Sequence, residues 1–394
     1  MDKKKSRLTR WLGSLGVFAT SLAISVLLIE LALRLFMPQA FTEATPGLFQ
    51  PDPPRRYRLT PGHRGRVSNL AGFDTSVSIN SAGLRGPEIG PKTPDTFRIL
   101  VTGDSYTFGW GVEQDETFVA RLADVLGSSY PHLEVMNAGV PGFGVQDEVD
   151  WLQEHGSALA PDLMILAIFA GNDLTDATEA RRNEKISFEV PTAGPAKGFW
   201  LWLYRNSHLV RLADMAGFRK LLGLPDAWLI EYLRDVFRCY TDEPAPLAEE
   251  GKKASRKALE ELKALSAERG VPVAAMIIPA PWQVDSESWK MTVAFLGMES
   301  EGLDPEAPIR FFRTSLEEIG IPVLDLAPTF RTKLQADGVP LYFSFDGHWN
   351  VDGHLVASEA LGRFLLEEFS TAPEGGTAQS GDKLLSAASS GPGT

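Results

Sequence analysis

The sequence has little cysteine and no excess of positive charge. Its single cysteine, Cys239, excludes an intramolecular disulfide and any metal site built from a cysteine cluster. The net charge of −13 argues against a nucleic-acid-binding protein, which would need a basic face. The hydrophobic content of 44% and the charged content of 23% are close to globular averages, which excludes a wholly disordered chain and a multi-pass membrane protein.

Histidine is also scarce, and this restricts the candidates for base catalysis. The six histidines are His63, His132, His155, His208, His348 and His354. They are scattered along the chain, so nothing in the sequence calls for a metal or another cofactor.

One long apolar run lies near the N-terminus, where residues 11–29 form 19 positions without a charge. A helix of that length would span the roughly 30 Å hydrocarbon layer of a membrane. Glu30 and Arg34 follow at i,i+4 with the acid first, a spacing that predicts an ion pair on one helix face. Basic residues precede the run within segment 1–10, so the positive-inside rule predicts a cytoplasmic N-terminus.

A cleaved signal peptide is the alternative interpretation of this segment. Its apolar core would normally be about 7–15 residues long and would precede a small-x-small cleavage site. The run here is longer, and residues 35–39 offer no such site. We therefore predict a retained single-pass anchor over residues 11–37 in the cytoplasmic (inner) membrane, with everything after Pro38 in the periplasm.

The remaining chain divides by composition. Residues 38–95 are predicted to be a Pro-rich, polar linker (38–60) followed by a β-rich annex (61–95) with weak alternation and several glycines. Residues 371–394 are rich in Ser, Gly, Ala and Pro, which predicts a disordered tail.

Between these segments, residues 96–370 alternate apolar runs with helical patterns. The predicted strands are 97–101, 132–136, 163–169, 271–278 and 321–326. Nearly continuous apolar strands are buried on both faces, which is typical of a parallel sheet covered by helices. We therefore predict a doubly wound α/β domain with a five-stranded parallel sheet. Residues 174–262 interrupt this alternation of strands and helices, and we predict a helical insertion that packs on the core. The alternative is that this insertion forms a lid or a face resting on the bilayer.

Polar motifs follow three successive strands, at the carboxyl edge where such sheets bind ligands. Gly-Asp-Ser-Tyr places Ser105 after the first strand, Asn-Ala-Gly-Val-Pro-Gly ends with Gly142 after the second, and Ala-Gly-Asn-Asp places Asn172 after the third. Asp346-Gly-His348 precedes the last helical segment. Each motif alone is explained by helix capping or turn chemistry. Their order and placement predict a shared site.

With these motifs in this order, residues 97–370 resemble the SGNH hydrolases, also called the GDSL esterase/lipase superfamily. The resemblance implies a flavodoxin-like sheet, with Ser105 as nucleophile, His348 as general base and Asp346 as its orienting acid. It also implies an oxyanion hole formed by the backbone N–H groups of Ser105 and Gly142 and the side chain of Asn172.

The sequence departs from the family pattern in two places. Tyr106 stands where the family usually has leucine, and we expect little consequence. Asp346 lies two residues before His348 rather than three, a spacing seen in extracytoplasmic polysaccharide-modifying relatives; two residues apart on extended backbone, both side chains would point the same way. A second Asp-x-His contains His354, but that residue is expected within the first turn of the final helix, so His348 is preferred.

Together with the predicted anchor, the resemblance implies a membrane-anchored extracytoplasmic serine esterase that hydrolyses acyl or acetyl esters. The implied partners are an ester substrate, either an acylated carbohydrate or a lipid, and the membrane, with no nucleic acid. Two alternatives stay open: a polysaccharide O-acetyltransferase that uses the same serine, and a non-catalytic module that binds glycan or an assembly partner.

Overall fold

The computed structural model describes most of the chain. The described residues are 2–36, 42–52, 57–69, 72–127, 129–179, 202–203, 206–215, 228–241, 243, 245–344 and 346–370. The predicted disordered tail lies outside them. Contacts divide the chain into two units, one formed by residues 1–41 with 189–228 and the other by residues 42–188 with 229–394.

In the described residues, six strands follow the first helix, and from the sixth strand onward each strand is followed by one or more helices. The strands are β1 (Thr42–Ala44), β2 (Phe49–Pro51), β3 (Tyr57–Leu59), β4 (Arg64–Asn69), β5 (Phe73–Ser78), β6 (Phe97–Gly103), β7 (Leu133–Gly139), β8 (Leu163–Phe169), β9 (Val273–Ile278) and β10 (Val323–Asp325). The helices are α1 (Asp2–Phe36), α2 (Ser105–Phe108), α3 (Phe118–Leu126), α4 (Val145–His155), α5 (Asp173–Asp176), α6 (His208–Met215), α7 (Trp228–Arg238), α8 (Pro246–Arg269), α9 (Pro281–Val284), α10 (Ser286–Phe295), α11 (Ala307–Glu318), α12 (Ala327–Asp337) and α13 (Val351–Ser370).

In the described part of the second unit, β6 to β10 form a parallel sheet in the order β10-β9-β8-β6-β7. If the five strands are numbered 1 to 5 along the chain from β6, the order read from the β7 edge is 2-1-3-4-5, which is that of flavodoxin-like sheets. The predicted fold class is therefore confirmed. The strand order reverses beside β6, between its neighbours β7 and β8. The carboxyl end of β6 therefore lies at the crevice where such folds place their ligands.

The central strands β6, β8 and β9 are buried on both faces, as predicted, whereas the edge strand β10 and the first half of β7 are half-buried. All seven residues of β8 are buried, and they alternate between two core clusters. Met164, Leu166 and Ile168 join one cluster with side chains of α4 and α8. The alternate residues of the strand, which include Leu163 and Ile165, join the other cluster with side chains of α3 and α13. Helices thus cover both sides of the sheet.

The annex contains the predicted hairpin, in which β4 and β5 pair antiparallel. The linker expected over residues 38–60 is different in the structure, because β1, β2 and β3 lie within it. Leu48, Tyr57 and Leu59 are no more than 3% exposed and join the main core. Their isolated positions among polar residues gave no periodic signal, so the sequence did not indicate that this segment is anchored by burial.

The described part of the insertion is helical, but its elements belong to different units. Leu259 and Leu262 of α8 join the main core, as the packed interpretation requires, and α8 continues to Arg269 rather than ending near residue 262. Phe237 of α7 is fully buried in a smaller cluster with side chains of α10. Helix α6, in contrast, lies against α1 in the first unit. Residues 199–204, an aromatic-rich run within the predicted insertion, fall outside the described residues except at positions 202–203.

The first unit contains the long apolar helix. Residues Trp11–Phe36 of α1 have a mean hydropathy of 2.2 and are long and apolar enough to cross a membrane. The predicted pair forms, with Arg34 Nε 2.9 Å from a Glu30 carboxylate oxygen.

The Glu30 carboxylate also binds the N-terminus of α6. It accepts hydrogen bonds from Ser207 Oγ at 2.9 Å, from the His208 N–H at 2.9 Å and from the Leu209 N–H at 3.0 Å. The first N–H groups of a helix have no partner within the helix, and a carboxylate both accepts from them and interacts favourably with the helix dipole. Glu30 therefore caps α6.

Candidate active site

Ser105 is the first residue of α2, directly after β6. The side chain of Asp104 accepts a hydrogen bond from the Tyr106 N–H at 2.8 Å and so caps this short helix. The cap turns the chain sharply at the carboxyl edge of the sheet. As a result, the half-buried Ser105 side chain lies at the rim of the sheet beside a helix N-terminus.

The Ser105 hydroxyl contacts an imidazole from the far end of the sequence. Its Oγ lies 2.7 Å from His348 Nε2, although 243 residues separate the two. On the other side of the ring, His348 Nδ1 is hydrogen-bonded to Asp346 Oδ1. A proton held on Nδ1 by the carboxylate leaves the Nε2 lone pair facing the serine. The arrangement can therefore take a proton from the Ser105 hydroxyl.

The contact between Asp346 and His348 does not arise from extended backbone, as the sequence argument supposed. Gly347, between them, has a φ of +82°, in the left-handed region that favours glycine. The chain therefore turns between the two residues, and the turn brings the carboxylate to the ring. The predicted pair is present, but the reason given for it was wrong.

Tyr106 has a larger role than expected. Its hydroxyl donates to the Gly347 carbonyl at 2.7 Å, and its ring centroid lies 5.0 Å from that of His348. This side chain therefore ties the helix that carries Ser105 to the loop that carries His348.

His354 lies elsewhere. It is 1% exposed, its Nδ1 accepts from the Phe118 N–H at 3.1 Å, and its ring stacks on Phe118. Burial lowers the pKa of His354 to about 3, so the ring stays neutral near pH 7. The His354 ring therefore serves as a hydrogen-bond acceptor in the core, and His348 remains the candidate general base.

The predicted oxyanion donor Gly142 lies in a tight turn after β7. The Phe143 N–H bonds to the Val140 carbonyl at 3.1 Å, and Gly142 has a φ of +79°, so residues 140–143 form a turn that needs glycine at its third position. Tyr57 of β3 donates its hydroxyl to the Pro141 carbonyl at 2.7 Å. The segment expected to be a linker thereby fixes the turn, a role that no sequence spacing indicated.

The third motif places Asn172 at the start of α5, directly after the loop that follows β8. Its side-chain Nδ2 donates to the hydroxyl of Tyr232, on α7, at 2.8 Å. The next residue, Asp173, accepts a hydrogen bond from the Phe169 N–H at 2.8 Å and so holds the loop. Tyr232 was missed because it lies 60 residues from Asn172, in a segment without a recognisable pattern.

Buried carboxyl groups surround these loops. Burial raises the pKa of Asp104 to about 6, against the opposing effects of the Tyr106 N–H and His348. Burial and neighbouring carboxylates raise the pKa of both Glu148 and Asp173 well above their usual range. Among the described residues, no group of three or more His, Cys, Asp or Glu side chains could hold a metal ion.

Two family models match the sequence. The model of the GDSL-like lipase/acylhydrolase family matches residues 101–297, half of the chain. The model of the SGNH hydrolase-like domain of acetyltransferase AlgX matches residues 226–388. No curated protein matches the chain.

Solved structures show remote likenesses. The α/β hydrolase LAE5 from the metagenome of Lake Arreo, Spain, is 17% identical with a TM-score of 0.37, and the match covers 68% of this chain and 94% of that chain. A catalytic mutant of Axe2, an acetylxylan esterase from Geobacillus stearothermophilus, is 17% identical with a TM-score of 0.38 and the same coverage. The acetyl xylan esterase AlAXEase is 11% identical with a TM-score of 0.40, covering 67% of this chain and 98% of that chain. The family assignment depends on the first family model and not on these likenesses.

Proposed function

The chain belongs to the GDSL-like lipase/acylhydrolase family of ester-hydrolysing enzymes, and we propose that it is a membrane-anchored, extracytoplasmic serine esterase acting on acyl or acetyl esters. In this proposal Ser105 is the nucleophile, His348 the general base and Asp346 the group that orients the imidazole. The observation that carries it is the 2.7 Å contact between Ser105 Oγ and His348 Nε2, with Asp346 on the opposite ring nitrogen.

The reaction follows from this geometry. Ser105 Oγ attacks the ester carbonyl carbon while its proton passes to His348 Nε2, and Asp346 stabilises the imidazolium. The carbonyl oxygen becomes an oxyanion that accepts hydrogen bonds from the N–H groups of Ser105 and Gly142 and from Asn172 Nδ2. The alcohol leaves with the proton from His348, and an acyl-serine forms. Water, deprotonated by the same imidazole, then releases the acid and restores the serine.

The test uses the full-length protein in detergent. A serine-directed fluorophosphonate is expected to attach to Ser105, located by peptide mass spectrometry, and to block hydrolysis of a chromogenic acetyl ester. A protein that neither reacts with the reagent nor cleaves the ester would instead be a glycan- or partner-binding module.

Acetyl transfer is the second candidate, and the match to the AlgX acetyltransferase domain over residues 226–388 favours it. The same acyl-serine would then be attacked by a sugar hydroxyl in place of water. Adding an unacetylated polysaccharide to the ester assay distinguishes the two. A transferase would produce acetylated polysaccharide at the expense of free acetate, whereas an esterase would release acetate at an unchanged rate.

The membrane topology is part of the proposal. The apolar exposed helix Trp11–Phe36 and the basic residues of segment 1–10 support an N-terminus in the cytoplasm and a catalytic unit in the periplasm. Protease added to intact spheroplasts is expected to digest the catalytic unit; protection until the membrane is lysed would contradict this topology.

The pH dependence of hydrolysis is expected to show an acid limb with an apparent pKa above 6.5. Burial lowers the pKa of His348, but the charge of Asp346, its hydrogen bond and the charge of Asp104 outweigh burial, so the pKa is raised. A protonated imidazole cannot accept the serine proton, so kcat/KM should fall about tenfold for each pH unit below that pKa. Rates for a short-chain ester from pH 4.5 to 9 measure the limb. Replacing Asp346 by asparagine should move it to lower pH, and an unmoved limb would mean that another group titrates.

A further inference from the structure

The Asn172 carboxamide is held by a short hydrogen-bond chain that ends on a buried carboxylate. Asn172 Nδ2 lies 2.8 Å from the Tyr232 hydroxyl, and that hydroxyl lies 3.1 and 3.2 Å from the two carboxylate oxygens of Asp176. Asp176 is 7% exposed and belongs to α5, one turn after Asn172. The chain of contacts therefore joins the loop after β8 to α7 of the insertion.

Donor and acceptor roles in this chain are fixed by chemistry. A tyrosine hydroxyl has one proton, and the Asp176 carboxylate is the stronger acceptor. The hydroxyl oxygen is then left to accept from Asn172, which requires the NH₂ end of the carboxamide to face Tyr232. With one N–H of Nδ2 held in this way, the direction of the second N–H is set by the planar amide.

We propose that Tyr232 is a positioning residue of the oxyanion hole, which fixes the Asn172 carboxamide so that its second N–H points at the developing charge. The inference rests on the proposed function, since it takes Asn172 to be an oxyanion donor. The terminal torsion of an asparagine side chain is broad and roughly two-fold, so an unheld carboxamide would rotate or flip. Oxyanion donors accelerate a reaction because they are already aimed when charge develops.

A second contact from the same region supports this role. The Tyr240 hydroxyl accepts from Trp282 Nε1 at 2.8 Å and donates to the Gly171 carbonyl at 3.1 Å. Tyr240 is 1% exposed and follows α7 by two residues, and its ring stacks on that of Phe237. The backbone beside Asn172 and the Asn172 side chain are thus both held by tyrosines at α7. This arrangement connects the insertion to the proposed oxyanion donor Asn172.

A double-mutant cycle tests the proposal on the full-length protein in detergent. Asn172→Ala is expected to lower kcat about 10²–10³-fold. Tyr232→Phe keeps the ring but removes the hydroxyl, and it is expected to lower kcat about 10-fold with KM changed less than about 2-fold. In the Asn172→Ala background, Tyr232→Phe should have no further effect, because no carboxamide remains to be aimed. A merely structural role would lower kcat by the same factor in both backgrounds.

Tyr130→Phe is the matched control. Tyr130 is a half-buried tyrosine that stacks on Phe97, at the opposite end of β6 from Ser105, and its hydroxyl should be dispensable. If Tyr232→Phe reduces the folded fraction, Asp176→Asn offers a second test: it weakens the acceptor for the Tyr232 hydroxyl and should lower kcat only while Asn172 is present.

The outcomes separate the inference from the proposed function. Unchanged kcat in Tyr232→Phe, or equal losses in the two backgrounds, would overturn the inference and leave the serine mechanism intact. A fully active Asn172→Ala protein would also overturn it. Ester hydrolysis that persists in Ser105→Ala would reject the proposed function itself.

Discussion

Replacing Ser105 by alanine is expected to lower kcat for ester hydrolysis by about 10⁴- to 10⁶-fold. The mechanism begins with this hydroxyl, and neither His348 nor Asp346 can replace it as the attacking group. The side chain is small and only half-buried, so its loss should leave the fold unchanged. The measurement is the initial rate with a chromogenic acetyl ester, together with thermal unfolding of both proteins.

The control for this substitution is Ser129→Ala, which removes an exposed hydroxyl after α3, away from the carboxyl edge. Its rate should match that of the unaltered protein. A Ser105→Ala protein with more than about a tenth of normal activity would show that another nucleophile, or a water molecule activated directly, cleaves the ester.

Replacing His348 by alanine should have an effect of similar size, about 10⁴- to 10⁶-fold on kcat. The imidazole takes the proton from Ser105 at 2.7 Å and returns it to the leaving alcohol, so both halves of the reaction need it. The pH profile of the residual activity is a second measurement. The acid limb that reports the His348 imidazole should be absent.

His354 provides a matched comparison, because it stands in the second Asp-x-His of the same region. His354→Asn keeps a side-chain acceptor for the Phe118 N–H but removes the buried ring that stacks on Phe118. It is expected to lower the melting temperature while leaving kcat per folded molecule near normal. The opposite result, with His354→Asn inactive and His348→Ala active, would exchange the assigned roles of the two histidines.

The sequence predicted the parts of this structure that repeat or that follow a rule. Strands such as β8 are continuous apolar runs, and burial on both faces of a parallel sheet is the simplest way to accommodate them. Once the strands are placed, Ser105, Gly142 and Asn172 fall at one edge because parallel strands end there. The contact between Ser105 and His348 followed from that placement and from the family resemblance.

Other parts of the site arise from single contacts between distant segments. Tyr57 reaches the turn of Gly142 from a segment that we expected to be a linker, and Tyr232 reaches Asn172 from the insertion. No periodicity connects such pairs in the sequence. Tyr106 is different, because it adjoins Ser105 and its hydroxyl needs a partner when buried, so its contact with the Gly347 carbonyl could have been anticipated.

Glu30 makes the start of α6 depend on the apolar helix α1. A protein cut beyond Phe36 would lack this carboxylate, so the Ser207 hydroxyl and the N–H groups of His208 and Leu209 would lose it as an acceptor. Ser207 Oγ would still accept from the Val210 N–H, so we expect the first turn of α6 to be less stable rather than lost. The hydrophobic segment therefore completes part of the folded chain.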